Sequence, residues 1–228
     1  MSKHLQRDVD HLKKQLLMMG GMVEEATDLA INAVIDRRSD LALQVQAGDD
    51  AIDAKELEVE DMCLKILALH QPVAGDLRYI VAVLKVNNDL ERMGDLAQNI
   101  AERAVFLTTH EPLAIEIDFE RMVETVKRMV RQSLDALVDQ DPALARGVCA
   151  QDDEVDRFLR SMFEALTATM QRDPSTVDRA VQTLSVSRHL ERIADSATNV
   201  AEDVVFMVEG ENIRHQPDAK RSGARARR

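Results

Sequence analysis

Apolar residues recur every three or four positions along almost the whole of this 228-residue chain, the spacing of α-helices that bury one face. The first run (Leu5, Val9, Leu12, Leu16, Met19, Val23, Ala26, Ala30, Val34) predicts a helix over about 5–36. Gly20 and Gly21 lie inside it and are expected to loosen or bend it. Ser39 reads as the N-cap of a second helix reaching about residue 69. Pro72 and Gly75 mark the turn into a third, over about 75–107. Thr108, Thr109 and Pro112 form a linker, and the plan then repeats. A fourth helix is predicted over about 118–139, starting at Asp118. Asp141-Pro142 and Asp173-Pro174 each set a capping carboxylate before a proline at the first helical position. They open a fifth helix to about 171 and a sixth to about 208, closed by Gly210. Turns this short force antiparallel neighbours.

The expected fold is all-α: two pseudo-symmetric three-helix bundles built from six long antiparallel helices. The first bundle takes residues 1–110, the second 111–212, and 213–228 remain as a basic tail without regular structure. Within this plan, residues 1–107 should superpose on about 113–209.

The pseudo-symmetry is written in the sequence. Residues 90–106 read LERMGDLAQNIAERAVF and residues 190–206 read LERIADSATNVAEDVVF, identical at 10 of 17 positions. Unrelated segments match at roughly 6% of positions, about one in this window. The two halves are therefore copies of one unit.

Composition narrows the class. Hydrophobic residues make up 45% of the chain but aromatics only 3%, so the core must be aliphatic and methionine-rich. Cys63 and Cys149 show no metal or disulfide spacing and read as buried thiols of a reducing compartment. Neither a secretory signal nor a bilayer-spanning run is present, so a cytoplasmic protein is expected. The net charge is −12, and the tail from 218 holds five basic residues and one acid. The body therefore carries 24 basic and 40 acidic side chains, a net of −16. Such a body repels nucleic acid and anionic lipid and attracts cations or basic partners.

The acids are ordered into rows. On the third helix Leu90, Met93, Ala97, Ile100 and Ala104 form the core seam, as Leu190, Ile193, Ala197, Val200 and Val204 do on the sixth. Glu91, Asp95 and Glu102, and likewise Glu191, Asp195 and Glu202, fall nearly opposite those seams. Acids opposite an apolar seam are ordinarily a solvated face. Here both copies keep a repulsive i, i+4 pair, Glu91/Asp95 and Glu191/Asp195. A second row, Asp49, Asp53, Glu56 and Glu60, lies on the second helix. The fifth repeats its start as Asp152, Asp153 and Asp156 but has Leu159 and Phe163 in place of Glu56 and Glu60. Two oxygen-rich sites result, suited to hard cations such as Mg²⁺, Mn²⁺ or iron. Central ligands would be Glu91, Asp95, Glu191 and Asp195, with Asp49, Asp53, Asp152, Asp153 and Asp156 beside them.

The motifs Leu90-Glu91-Arg92-Met93-Gly94-Asp95 with Asn99-Ile100-Ala101-Glu102, and Leu190-Glu191-Arg192-Ile193-Ala194-Asp195 with Asn199-Val200-Ala201-Glu202, resemble those of the PhoU family of phosphate-uptake regulators. Asp76-Leu77-Arg78 upstream of the first copy adds to the resemblance, which spans about residues 5–210. It implies two three-helix bundles with multinuclear metal, zinc included among the candidates, on the surface acid motifs. It implies a negative regulator rather than an enzyme. Its partners would be the ATPase subunit of the phosphate-specific ABC transporter and a membrane sensor histidine kinase, and it would work as a homodimer. The chain departs from the family pattern where Leu96 and Ser196 replace a histidine often found after the motif Asp, and where Asp178 stands at the position matching Arg78.

Two other readings compete. One is a divalent-metal-dependent hydrolase or redox protein using the carboxylate rows. No nucleophile, general base or nitrogen ligand accompanies the acids, and no Glu-x-x-His motif occurs, which weighs against it. The other is an inert helical scaffold whose acids are only solvated.

Overall fold

The computed structural model describes residues 3–114 and 119–214. Within them, 89% of residues are helical and none forms a strand. Helices α1 (Lys3–Ile35), α2 (Ser39–His70) and α3 (Ala74–Thr108) form the first bundle. Helices α4 (Phe119–Asp139), α5 (Pro142–Cys149), α6 (Asp152–Arg172) and α7 (Val177–Glu209), with a 3₁₀ turn at Pro174–Thr176, form the second. Asp118, read as the start of the fourth helix, and residues 215–228 of the tail lie outside the described residues.

Every residue of both predicted seams is fully buried, from Leu90 to Ala104 and from Leu190 to Val204. Helix α3 packs on α1 and α2, while α7 packs on α4, α5 and α6. The most extensive pairing in the molecule is α3 with α7. It joins the two bundles into one aliphatic core, with a small satellite of Met162, Leu166 and Ala180. Cys63 and Cys149 are buried and form no disulfide, as expected. No helix among the described residues is long and apolar enough to cross a membrane.

The sequence plan needs three local corrections. Helix α1 runs unbroken through Gly20 and Gly21. Gly20 serves packing instead, since a β-carbon there would lie 2.9 Å from Leu134 Cδ2 on α4. Ser39 is the first helical residue of α2, not its cap; Arg38 holds the cap position and pairs with Asp40. The predicted fifth helix is broken at Ala150-Gln151 into α5 and α6. The Gln151 amide donates to the Val148 carbonyl at 2.9 Å, a tightened turn. Its side chain holds the break by donating to the Gly147 carbonyl and to Gln132 Oε1. Asp152, Asp153 and Glu154 then open α6, where acids favour a helix N-terminus.

The predicted caps elsewhere form. Asp141 Oδ1 accepts from the amides of Ala143 and Leu144, and Asp173 Oδ1 from that of Ser175. Gly210 ends α7 in the left-handed conformation at φ 77°. Of the segment read as a tail, Ile213 is fully buried and Arg214 pairs with Glu202 and Asp203 of α7.

Candidate metal centre

The first acidic cluster forms where α2 meets α3. The core seam of α2 (Ala42, Val45, Ile52, Val59, Cys63, Ile66) is buried. Asp49 and Glu56 fall in the same seven-residue register as that seam, so they reach the rim of the α2–α3 contact rather than open solvent. Gly94 brings the two helices close there, since a β-carbon on it would lie 3.1 Å from Ile52 Cγ2. The other half has Ala194 and Val155 at these positions, one methyl moved from one helix to its neighbour, and both are buried.

That approach sets one carboxylate oxygen each of Asp49, Asp53 and Asp95 within 4.8 Å of one another. Oxygens bound to a single hard cation at 2.0–2.6 Å lie no more than about 4–5 Å apart, so these three fit one. Burial raises the Asp49 carboxyl above the ordinary range, and the charges of Asp53, Asp95 and Asp50 raise it further. Glu91 is raised by burial and then by Asp95, Asp53 and Glu56. Glu56 is raised by burial, Glu60 and Asp53. Each of these groups is held by its surroundings toward the protonated form, the condition a bound cation would reverse.

In the second cluster Asp152 and Asp156 of α6 and Glu191 and Asp195 of α7 lie near enough for their charges to act on one another, but unlike Asp49, Asp53 and Asp95 they do not set three carboxylate oxygens within 4.8 Å. Glu191 is raised by burial, Asp195, Asp156 and Asp152, and Asp195 by burial, Asp152 and Asp156. Here arginines intervene, as Arg192 opposes both shifts and Arg92 of α3 opposes that of Asp195. The Thr198 hydroxyl also donates to Asp152 Oδ1 at 3.2 Å. Asp153, predicted among the ligands, is exposed. Glu202, expected on the open face, is buried at 6% exposure beside Arg214, because the segment through Ile213 folds back over the end of α7. Its counterpart Glu102 is exposed.

The family model described as the PhoU domain matches this chain twice, over residues 16–104 and 119–204. The chain belongs to the PhoU family. Each match takes in one acidic cluster's α3 or α7 motif. A protein of Aquifex aeolicus, described as a phosphate-specific transport system accessory protein PhoU homolog, is 42% identical over 92% of this chain and 95% of its own length. One of Pseudomonas aeruginosa with the same description is 37% identical over 94% of this chain and 89% of its own length. The crystal structure of PhoU from Pseudomonas aeruginosa superposes with a TM-score of 0.88 at 37% identity, over 90% of this chain and 99% of that one. The phosphate transport system regulatory protein PhoU of Streptococcus pneumoniae gives a TM-score of 0.84 at 25% identity, over 91% and 98%.

Within this PhoU fold, several polar residues do work that the sequence reading did not assign. Arg78 Nε donates to the Met207 carbonyl at 3.1 Å, capping the last turn of α7 from the other bundle. Its counterpart stands one residue off the 100-residue offset: Arg179 donates to the Glu111 carbonyl just beyond α3. Where α3 meets α7, Asn199 donates to Asp89 Oδ1 at 3.0 Å, and Lys85 and Arg214 flank the buried Asp203. Burial pushes the Asp89 carboxyl up to about 6. Arg92, Arg192, Asn99 and Asn199 are all among the ten identical positions of the repeat, which was the available signal.

Proposed function

We propose that this chain is a negative regulator of phosphate uptake and of the phosphate-starvation response. It acts in the cytoplasm as a homodimeric, metal-loaded adaptor between the ATPase subunit of a phosphate ABC transporter and a membrane sensor histidine kinase. The observation that carries this reading is the paired PhoU match, in relatives described as accessory proteins of phosphate-specific transport. The chemistry fits. Among the described residues, the group that could hold a metal is the three carboxylates of Asp49, Asp53 and Asp95, with no nitrogen ligand in it, which agrees with a cation-loaded docking protein.

Asp49, Asp53 and Asp95 would hold a hard cation at the first cluster, with Glu91 beside them. Asp152, Asp156, Glu191 and Asp195 would form the second site. A bound cation supplies positive charge that lets several carboxylates ionise side by side, rigidifying α2 against α3. The first cluster lacks the arginines of the second, so it is the tighter of the two.

The test is a deletion strain grown in high phosphate. Alkaline phosphatase and the other starvation genes should switch on. If they stay silent, and the purified protein binds neither the transporter ATPase nor the kinase, the regulator reading fails and the metal-dependent hydrolase moves ahead. Metal content gives a second readout. Replacing Glu91 and Asp95 by Gln and Asn should remove the first site and spare the second.

A further inference from the structure

Helix α2 is apolar on two opposite sides. One is the buried seam already described. The other faces away from the bundle: Leu43, Leu57 and Leu64 are 57%, 62% and 53% exposed, and Ala47, Ala54 and Ala68 are exposed with them. Together with Asp50 and Asp61 they occupy positions 43, 47, 50, 54, 57, 61, 64 and 68. That is the alternating four-three spacing of a coiled-coil seam. Isolated exposed leucines need no explanation, but a stripe in one register does. The fold itself does not demand it. At the corresponding places α6 carries Asp153, Arg157, Arg160, Glu164 and Thr167.

We propose that the outward face of α2 is the docking site for a basic amphipathic helix of a partner protein. This deepens the adaptor reading and rests on it, by naming the surface and the chemistry of what binds there. Charge selects the occupant. The stripe contains Asp50 and Asp61 and is flanked by Glu58 and Glu60. Lys55 is drawn to Glu58 at 2.6 Å, and Lys65 is paired with Asp61. A second copy of α2 running antiparallel would set Leu against Ala at each apolar level, Leu43 with Ala68, Ala47 with Leu64 and Ala54 with Leu57. The same register would force Asp50 of each copy against Asp61 of the other, so self-pairing is opposed. A foreign helix with leucine-sized residues at heptad spacing and Lys or Arg on its flanks meets every one of those acids with opposite charge. The stripe is about 38 Å long and a helix covers about 10 Å of width, roughly 400 Å² on each partner. That lies below the size of stable complexes, so the contact is transient, with a dissociation constant on the order of micromolar.

The probe is a labelled synthetic helical peptide of four heptads, with leucine at both seam positions and Lys/Arg at the flanks. A second peptide carries Glu at the flanks. Titration against the full chain by fluorescence anisotropy should show micromolar binding of the basic peptide at low salt, weaker at high salt. Leu57→Glu and Leu64→Glu should each weaken it about tenfold or more. Phe163→Glu, which adds the same charge on α6 at a side chain 52% exposed, should leave it unchanged. A purely electrostatic attraction would bind the more acidic leucine variants more tightly, and that result overturns the proposal. So does equal binding of the acidic peptide, or a dimer in sedimentation that Leu57→Glu dissolves. In the deletion strain, the wild-type gene should silence alkaline phosphatase and the Leu57→Glu allele should not. Full silencing by that allele defeats the α2 site while leaving the regulator reading intact; a deletion with no phenotype defeats the regulator reading, and the peptide titration still decides the site.

Discussion

Asp49→Asn should change the sign of its effect on stability when a cation is added. Without metal, Asp49 has carboxylate oxygens of Asp53 and Asp95 within 4.8 Å. Coulomb's law gives about 0.9 kcal/mol of repulsion per such pair in water and about 3.5 kcal/mol at an effective dielectric of 20. Asp53 and Asp95 are exposed, so screening places the sum for both pairs near the lower end, about 1–2 kcal/mol. Asparagine keeps the shape and removes the repulsion. In chelator the variant should melt roughly 2–8 °C above the parent, at about 2–4 °C per kcal/mol for a chain of this size.

A cation at a thousand times its dissociation constant stabilises the parent by about 4.1 kcal/mol. If losing one ligand weakens binding about a hundredfold, the variant gains only about 1.4 kcal/mol from the same concentration. The parent then overtakes the variant by about 1–2 kcal/mol. Thermal melts followed by circular dichroism, in EDTA and then with Mg²⁺, Mn²⁺, Fe²⁺ or Zn²⁺, read both orders. Asp153→Asn, at an exposed position, should show no reversal. A parent whose melting point no cation moves, or an Asp49→Asn variant that melts lower in EDTA, would refute the assignment.

Further substitutions probe the frame that holds the clusters. Asp89 has a native pKa of about 6, above its value of 3.8 when free, so the folded state binds the proton more tightly and stability is lost as pH rises from about 4 to 6. Asp89→Asn should match the parent near pH 4 and exceed it by roughly 2–3 kcal/mol above pH 7 in urea unfolding; a difference independent of pH would count against the buried carboxylate. Gly21→Ala, which meets nothing within 4 Å, should raise stability by about 1 kcal/mol. Gly20→Ala should fall short of that gain because of Leu134, and pairing it with Leu134→Ala should reveal a coupling of about 0.5–3 kcal/mol; strict additivity would mean that α1 and α4 do not approach as described. Arg78→Gln should cost about 1–2 kcal/mol and speed amide exchange in the last turn of α7, as it leaves the Met207 carbonyl without its charged donor; unchanged exchange there would remove Arg78 from the cap.

The fold was legible because two separate signals agree in this sequence. The heptad-like spacing of Leu90 to Ala104 and Leu190 to Val204 fixes what is buried, and the Asp-Pro pairs and Gly210 fix where helices begin and end. Periodicity failed where a side chain overrides it. The break before α6 depends on Gln151 reaching back to Gly147 and across to Gln132, and no spacing rule marks a glutamine that does so. The clusters were legible in part. Asp49, Asp53, Glu91 and Asp95 converge because the row on α2 and the row on α3 border the same close contact at Gly94. Asp153 was included because the repeat matches it to Asp50, and its side chain is exposed, about 100° round the helix from that of Asp152. Glu202 was misjudged because its surroundings come from Ile213 and Arg214, residues assigned to a tail.

Arg78 and Arg179 show why the repeat had to be read as structure and not as alignment. The strict offset pairs Arg78 with Asp178, and the second half then seems to lack a basic partner. Each arginine in fact reaches across to the other bundle, Arg78 to the Met207 carbonyl in the last turn of α7 and Arg179 to the Glu111 carbonyl three residues beyond the end of α3. Such crossed contacts need only a carbonyl within reach, and a one-residue shift is absorbed by the arginine's length. The carboxylate clusters allow no such slack, since a cation tolerates displacements of a few tenths of an ångström in its ligands. The spacing within each helix is kept, four residues from Asp49 to Asp53 as from Asp152 to Asp156 and from Glu91 to Asp95 as from Glu191 to Asp195, although the α2 and α6 acids match at an offset of 103 and those of α3 and α7 at 100. What differs is the charge around them. The first cluster adds Glu56 and Glu60, and the second is opposed by Arg92 and Arg192. Under the proposed metal loading the first cluster, with no opposing arginine, is expected to be the tighter, and it lies on α2, the same helix that offers the apolar stripe. Loading would then stiffen α2 against α3 with its outer face presented, and metal occupancy would couple to docking through a single helix.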